Sequence, residues 1–387
     1  NAGKHLLFLR PRRFGKSLLL SVLENYYDAA KADEFEQLFG HLAVGENPTE
    51  LHNRYLVMIW DFSAVSSQGD AAKIRDSLHN HINGCIEQFR ARYREILTYD
   101  IQIHGDDALR SFQSVLAAIQ SSPYKLYLLI DEYDNFANEI LMGGESGDRQ
   151  RYQRLLSGQG ELKTVFKAVK SATRGLGLDR AFITGVSPVV MSDITSGHNI
   201  AENISLLPEF GDLCGFTETE VAGTLDRIVR ECGFPPETAG EASEMMRKFY
   251  DGYRFSHRSE GHLYNPTLIL YFMKAFQSYC EYPGEMLDEN LATDRGKLAY
   301  IAGLPGGKRL ISDALNEAEP LSIQRLARRF GVEEMLSASK DNTFMASLLF
   351  YLGVLTLSDR RTGMGKLILR VPNLVSRSLY VERIREM

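Results

Sequence analysis

Five residues in three short stretches carry chemistry that packing alone does not require. Lys16 and Ser17 end the string FLRPRRFGKS, Asp131 and Glu132 end LLIDE, and Thr184 lies in AFITGV. A lysine followed by a small hydroxyl residue, after a loop and at the start of a helical run, is an arrangement that binds a phosphate chain. Backbone N–H groups of such a loop and of the helix N-terminus face the anion. Lys16 would reach the β- and γ-phosphates, and the Ser17 hydroxyl would hold Mg²⁺. An aspartate at the carboxyl end of an apolar strand sits where ligands of open α/β sheets bind. Asp131 would hold the water shell of the same Mg²⁺, and Glu132 would polarise the attacking water. Either half alone is a weak signal, because GKS is short and an acidic loop often follows a core strand. The two halves in this order point to nucleotide binding, with ATP and Mg²⁺ as the expected cofactors. The binding segment is Arg10, Pro11, Arg12, Arg13, Phe14, Gly15, Lys16, Ser17 and Leu18. Arg10 stands where such loops usually carry glycine, and Pro11 holds it extended, so the turn must be made elsewhere.

The elements that must position these groups are legible as apolar runs. His5–Leu9, Tyr55–Phe62, Leu126–Ile130 and Ala181–Val186 read as buried strands, with Ile204–Leu207 as a shorter fifth. Helical patterns fill the intervals: Leu18–Tyr27, Asp70–Leu97, Asp106–Gln120 and roughly Gln150–Thr173, the last after a flexible Gly143–Gly147. On the first helix Leu18, Leu19, Val22, Leu23 and Tyr26 fall on one face. The alternation predicts an α/β fold, a P-loop NTPase parallel sheet with helices on both faces. A strand between the two motif strands fits the ATPase division that includes the AAA-type enzymes. In that division Thr184 would sense the γ-phosphate.

From Gly215 the pattern changes. Thr217 and Glu220 have capping-box spacing, and helices follow over Glu218–Cys232, Pro236–Tyr250 and from Tyr264-Asn265-Pro266 onward to about Tyr351. Val354–Leu357 and Lys366–Val371 then read as a hairpin, and Pro372–Arg385 as a closing helix. This predicts a mainly helical domain ending in a winged-helix-like module. The expected limits are 1–214 for the ATPase domain, 215–340 for a helical lid and 341–387 for the module.

With 387 residues, 44% hydrophobic and 24% charged, the chain has the composition of a soluble multidomain protein. No run approaches a membrane span, and no membrane partner is expected. The net charge of -6 argues against bulk electrostatic binding to nucleic acid. Locally, residues 360–387 carry seven basic and two acidic side chains, a net of +5, which suits contact with a phosphate backbone. Four scattered cysteines and nine histidines show no metal-ligand spacing and suit a reducing cytoplasm. Beginning at Asn1 almost directly on a strand, the sequence reads as part of a longer protein.

Several strings together resemble one family. RPRRFGKSLLLSVLENYY, LLIDEYDN, FITGVSPV, GFTETEV, DGYRF, YNP and VPN are similar to the AAA-ATPase-like family, whose members often carry a C-terminal PD-(D/E)XK nuclease-like domain. In that family Arg-Pro regularly opens the phosphate loop, as at Arg10-Pro11 here. The resemblance implies an ATP-hydrolysing domain using Lys16, Ser17, Asp131 and Glu132, with a nuclease-like effector outside this sequence. A homo-oligomer is among the expected assemblies, and a nucleotide-gated scaffold with little turnover is the alternative function. Lesser candidates remain. Arg12 and Arg13 could hold phosphate charge, and Asp61 and Ser63 could place water or metal. Arg254, Asn265, Arg174 or Arg180 could close over the nucleotide. Trp60 reads as core.

Overall fold

Tyrosine, leucine and isoleucine runs flanked by loop signals form a parallel sheet in the computed structural model. It describes residues 3–135, 138–139, 160–189, 201–259, 261–286, 301–316, 321–327, 330, 334, 341–362 and 365–386. The expected Gly143–Gly147 interruption and the start of the helix after it lie outside these residues. Contacts divide the chain into two units. The first takes Asn1–Leu9, Lys16–Asn203 and Arg329–Leu336, and the second takes Arg10–Gly15, Ile204–Arg328 and Ser337–Met387.

The first unit runs β1 His5–Leu9, α1 Lys16–Tyr27, β2 Tyr55–Asp61, α2 Ala71–Arg92, α3 Ala108–Gln120, β3 Lys125–Asp131, α4 Glu161–Ala172, β4 Leu178–Gly185 and β5 Glu202–Asn203. All strand pairs are parallel, in the order β2-β3-β4-β1-β5. The strand that separates β1 from β3 in space is therefore β4, which carries Thr184. Successive residues of a strand face opposite sides of the sheet. Every residue from Leu126 to Asp131 is buried, so both faces of β3 are covered. Asp70 and Asp107 start α2 and α3 by accepting from the N–H groups of Lys73 and Arg110.

Three expectations change. Ile204–Leu207 is not a strand. Leu207 N–H bonds back to Ile204 O at 3.1 Å and closes a turn, and a 3₁₀ turn opens at Pro208. The pairing with β1 is made by Glu202 and Asn203 instead. The long helix stops at Arg92, because the N–H groups of Ile96 and Leu97 both return to Tyr93 O. On α1, Leu20 and Tyr26 are buried while Leu18 and Val22 are 70% and 42% exposed. The helix has more apolar residues than its buried face holds.

The second unit runs α5 Glu218–Glu231, α6 Glu237–Tyr250, α7 Pro266–Tyr279, α8 Gly307–Leu315, β6 Leu321–Ile323, α9 Asn342–Tyr351, β7 Thr356–Arg361, β8 Leu367–Arg370 and α10 Leu374–Glu386. Thr217 and Glu220 make both bonds of a capping box at the start of α5. The hairpin strands β7 and β8 join β6 in an antiparallel sheet of order β6-β8-β7. β6 interrupts a stretch read as helical, since three residues give no period to detect. Cys232 at the end of α5 and Cys280 at the end of α7 form a disulfide, with Cα atoms 5.6 Å apart. That pairing weakens the inference of a reducing compartment from cysteine scatter. No helix among the described residues is long and apolar enough to cross a membrane.

Candidate nucleotide site

Parallel neighbours bring their carboxyl ends to one edge of the sheet, and β3 and β4 deliver Asp131 and Thr184 there side by side. Asp131 is the centre of a network. Its Oδ2 accepts from Ser17 Oγ at 2.5 Å, and its Oδ1 accepts from Thr184 Oγ1 and from Glu132 N–H at 2.9 Å. Lys16 and Ser17 are in reach because they open α1. The Lys16 side chain is 3% exposed, with Nζ 3.3 Å from Glu132 Oε1. Burial raises the Glu132 carboxyl pKa above the ordinary range. Lys16 opposes that shift, and Asp134 and Asp131 add to it. Glu132 also has φ of 48°, a left-handed conformation that costs a non-glycine residue about 1–2 kcal/mol. The chain turns there, with Asn135 N–H bonded to Glu132 O.

A hydroxyl and a carboxylate oxygen 2.5 Å apart are hard donors that suit Mg²⁺. A buried ammonium next to a helix N-terminus suits a phosphate chain. The residues present therefore fit a Mg²⁺–nucleoside triphosphate.

The preceding segment, Arg10–Gly15, is organised within the second unit. Its turns fall at Arg13, with φ of 66°, and Gly15, with φ of 89°. Arg10 is 1% exposed and donates to three carbonyls: Ser205 and Phe210 at 2.8 Å and Gly211 at 3.1 Å. Its guanidinium lies 4.1 Å over the Phe255 ring. Burial pulls its pKa down to about 9, against the opposing influence of Cys214 and Asp212. These contacts commit the Arg10 side chain to the protein. Phe14 packs edge-on against Tyr253 and Phe255, at 4.9 and 5.2 Å. A Cβ at Gly353 would meet the Pro11 ring at 2.7 Å. Arg12 and Arg13 are exposed, and Arg13 O accepts from Thr267 Oγ1 at 3.3 Å.

The remaining candidates have structural partners. Arg254 pairs with Asp359 and donates to Ser256 O and Ser259 O. Asn265 caps α7 by accepting from Thr267 and Leu268 N–H. Arg180 is the third residue of β4 and donates to Tyr55 Oη at 3.0 Å, and Arg174 lies in the turn before that strand. Both are at the opposite end of the strand from Thr184. Asp61 ends β2 in register with Asp131, but its carboxylate caps Ser63 N–H at 2.9 Å. Trp60 is fully buried. Sequence reasoning passed over Tyr133, Asp134 and Ser187, which are fully buried and bonded to one another just behind the site. The available signal was a second acid in DEYD, two residues after Glu132.

Residues 1–195 match the family described as "Predicted AAA-ATPase". The chain is 24% identical over 382 residues to the "Uncharacterized protein in vnfD 5'region" of Azotobacter chroococcum mcd 1. That alignment covers 96% of this chain and 61% of the relative, so the chain spans about three fifths of the relative's length. The Aeropyrum pernix ORC1 protein, solved in complex with DNA, aligns over 100% of this chain and 87% of its own, with 11% identity and a TM-score of 0.34. The family match takes in both halves of the nucleotide signature and half of the chain, and on that basis the protein belongs to the predicted AAA-ATPase (AAA-ATPase-like) family.

Proposed function

We propose that the protein is a Mg²⁺-dependent ATPase. The observation that carries this reading is the convergence of Ser17, Thr184 and the Glu132 N–H on the two oxygens of Asp131, with Lys16 against Glu132. The main chain of Arg10–Leu18 cradles the phosphates, and Lys16 neutralises charge on the β and γ groups. Ser17 and Asp131 hold the metal, which when bound adds charge stabilisation at the transferring phosphoryl group. Glu132 orients the attacking water and takes its proton, a role that its burial-raised basicity suits. Thr184 contacts the γ-phosphate.

Turnover in this reading switches the helical second unit. The bonds from Arg10 to Ser205, Phe210 and Gly211 support it, because the loop's first residue is anchored there. The β6–β8 sheet with α9 and α10 is read as a winged-helix-like module directed at nucleic acid. A cleft of about 810 Å³ lined by Arg247, Lys248, Arg370 and Arg377, with Glu218 and Asp251, supports contact with phosphate. A nuclease-like effector is part of the proposal on family grounds alone. A second reading, a nucleotide-gated scaffold with slow turnover, is favoured by one observation: the Glu132 carboxylate is engaged by Lys16. ATP titration together with single-turnover hydrolysis, with and without double-stranded DNA, separates the two. Binding with turnover supports the ATPase, and binding without turnover supports the scaffold.

A further inference from the structure

Asp134 lies two residues beyond Glu132, in the turn that follows β3, and is 0% exposed. Its Oδ1 accepts from Val186 N–H at 3.1 Å. Its Oδ2 accepts from Ser187 N–H at 2.8 Å, Ser187 Oγ at 2.8 Å and Asn138 Nδ2 at 2.7 Å. Among the described residues no cation pairs with it, and its hydrogen-bond donors are all neutral. Tyr133 adds to the clamp. Its Oη lies 2.5 Å from Ser187 O and 3.0 Å from Val189 O, and its N–H donates to Thr184 O at 3.1 Å. Gly185 is required by the same closure. A Cβ there would stand 2.5 Å from Asp134 Oδ1 and 2.6 Å from the Tyr133 ring.

These bonds join the two peptide segments that leave the site. One begins directly after Glu132, the other directly after Thr184. Within each segment one residue separates the Asp134–Val186 bond from the group that would face the γ-phosphate. The φ of 48° at Glu132 needs an external restraint to persist, and the clamp supplies one. We propose that Asp134 is a positioning residue for hydrolysis, which holds the Glu132 carboxylate and the Thr184 hydroxyl in a fixed mutual geometry. The role rests on the ATPase reading above. Asp134 is fully buried with both carboxylate oxygens bonded to the protein, so it does not itself bind nucleotide, and its loss should not weaken nucleotide binding.

The carboxylate accepts four hydrogen bonds, one on Oδ1 and three on Oδ2. Asparagine would turn an NH₂ group toward an N–H donor and break the clamp with almost no change in volume. In Asp134→Asn, kcat should fall about 10- to 100-fold, the usual cost of losing an outer-shell partner. The dissociation constant for Mg²⁺–ATP should not rise above that of the wild type. Backbone amides in 182–189 should exchange faster with solvent, with or without nucleotide. Ser187→Ala and Tyr133→Phe each remove one hydroxyl and should show the same split to a smaller degree, which covers misfolding of Asp134→Asn. Equal kcat across the wild type and all three variants overturns the proposal. So does a parallel loss of affinity and kcat in variants that still melt cooperatively. A wild type that binds no ATP overturns the ATPase reading itself, and this proposal with it.

Discussion

Replacing Glu132 by glutamine should tighten ATP binding while removing turnover. Lys16 Nζ lies 3.3 Å from Glu132 Oε1, with side-chain exposures of 3% and 18%. A triphosphate must therefore take Lys16 from a partner it already has. At an effective dielectric of about 20, two unit charges at that distance attract by about 5 kcal/mol. Both groups have already lost most of their water, and a charged hydrogen bond contributes a net of about 1.5–3 kcal/mol. Glu132→Gln removes that competition, and with it the repulsion between the carboxylate and the phosphates. The dissociation constant for Mg²⁺–ATP should fall about 10- to 100-fold, at 1.4 kcal/mol per decade. Turnover should fall by about 10²–10⁴, the usual contribution of a general base. Calorimetric titration of wild type and variant in one buffer measures the first quantity. A variant that binds ATP no more tightly than the wild type would refute the idea that Glu132 competes for Lys16.

Four further outcomes follow from the packing. Arg10→Gly restores the glycine usual in phosphate loops yet should destabilise the protein by about 3 kcal/mol or more, because buried carbonyls lose a charged donor. Urea unfolding checks this, and a variant as stable as the wild type contradicts it. Gly252→Ala should cost about 2–3 kcal/mol, since φ is 116° and a Cβ would stand 2.1 Å from Pro372 O. Gly240→Ala in α6 meets nothing within 4 Å and should instead gain up to about 1 kcal/mol in the same assay. The His262 ring lies 3.5 Å from Asp251 and 2.8 Å from Asp359, and its pKa is raised chiefly by the hydrogen bond to Asp251. A raised folded pKa stabilises fully below the unfolded value of about 6.5 and is lost as pH rises through the folded value. Unfolding free energy should therefore drop more between pH 6 and pH 9 in the wild type than in His262→Gln, and equal slopes would contradict it.

The strands of the sheet were legible because each is a short apolar run closed by polar residues, and Lys16, Ser17, Asp131 and Glu132 because their chemistry sits at strand and helix ends. What escaped is non-local. Nothing in the order of the runs says that β4 lies between β1 and β3, although this places the Thr184 hydroxyl on Asp131. Arg10 reads as an anion ligand from its type and neighbours. Its carbonyl partners are 195 to 201 residues away, so only the fold assigns it to the protein. The same holds for Cys232 and Cys280, 48 residues apart. DGYRF read as a turn or a clamp. Its aromatic residues turn out to pack on Phe14, and its arginine is tied to Asp359. Asp134 was hidden by adjacency, because beside Glu132 it looks like one more acid of a polar loop. The exposed Leu18 and Val22 show the limit of period-reading on a helix apolar on several sides.

The most direct test of the central claim is the rate of phosphate release from Mg²⁺–ATP by the wild-type protein, measured beside Lys16→Ala and Glu132→Gln. The wild type should turn ATP over, Lys16→Ala should lose binding and turnover, and Glu132→Gln should lose turnover while retaining binding. Turnover that survives in Glu132→Gln would contradict the claim, as would a folded wild type that does not bind ATP.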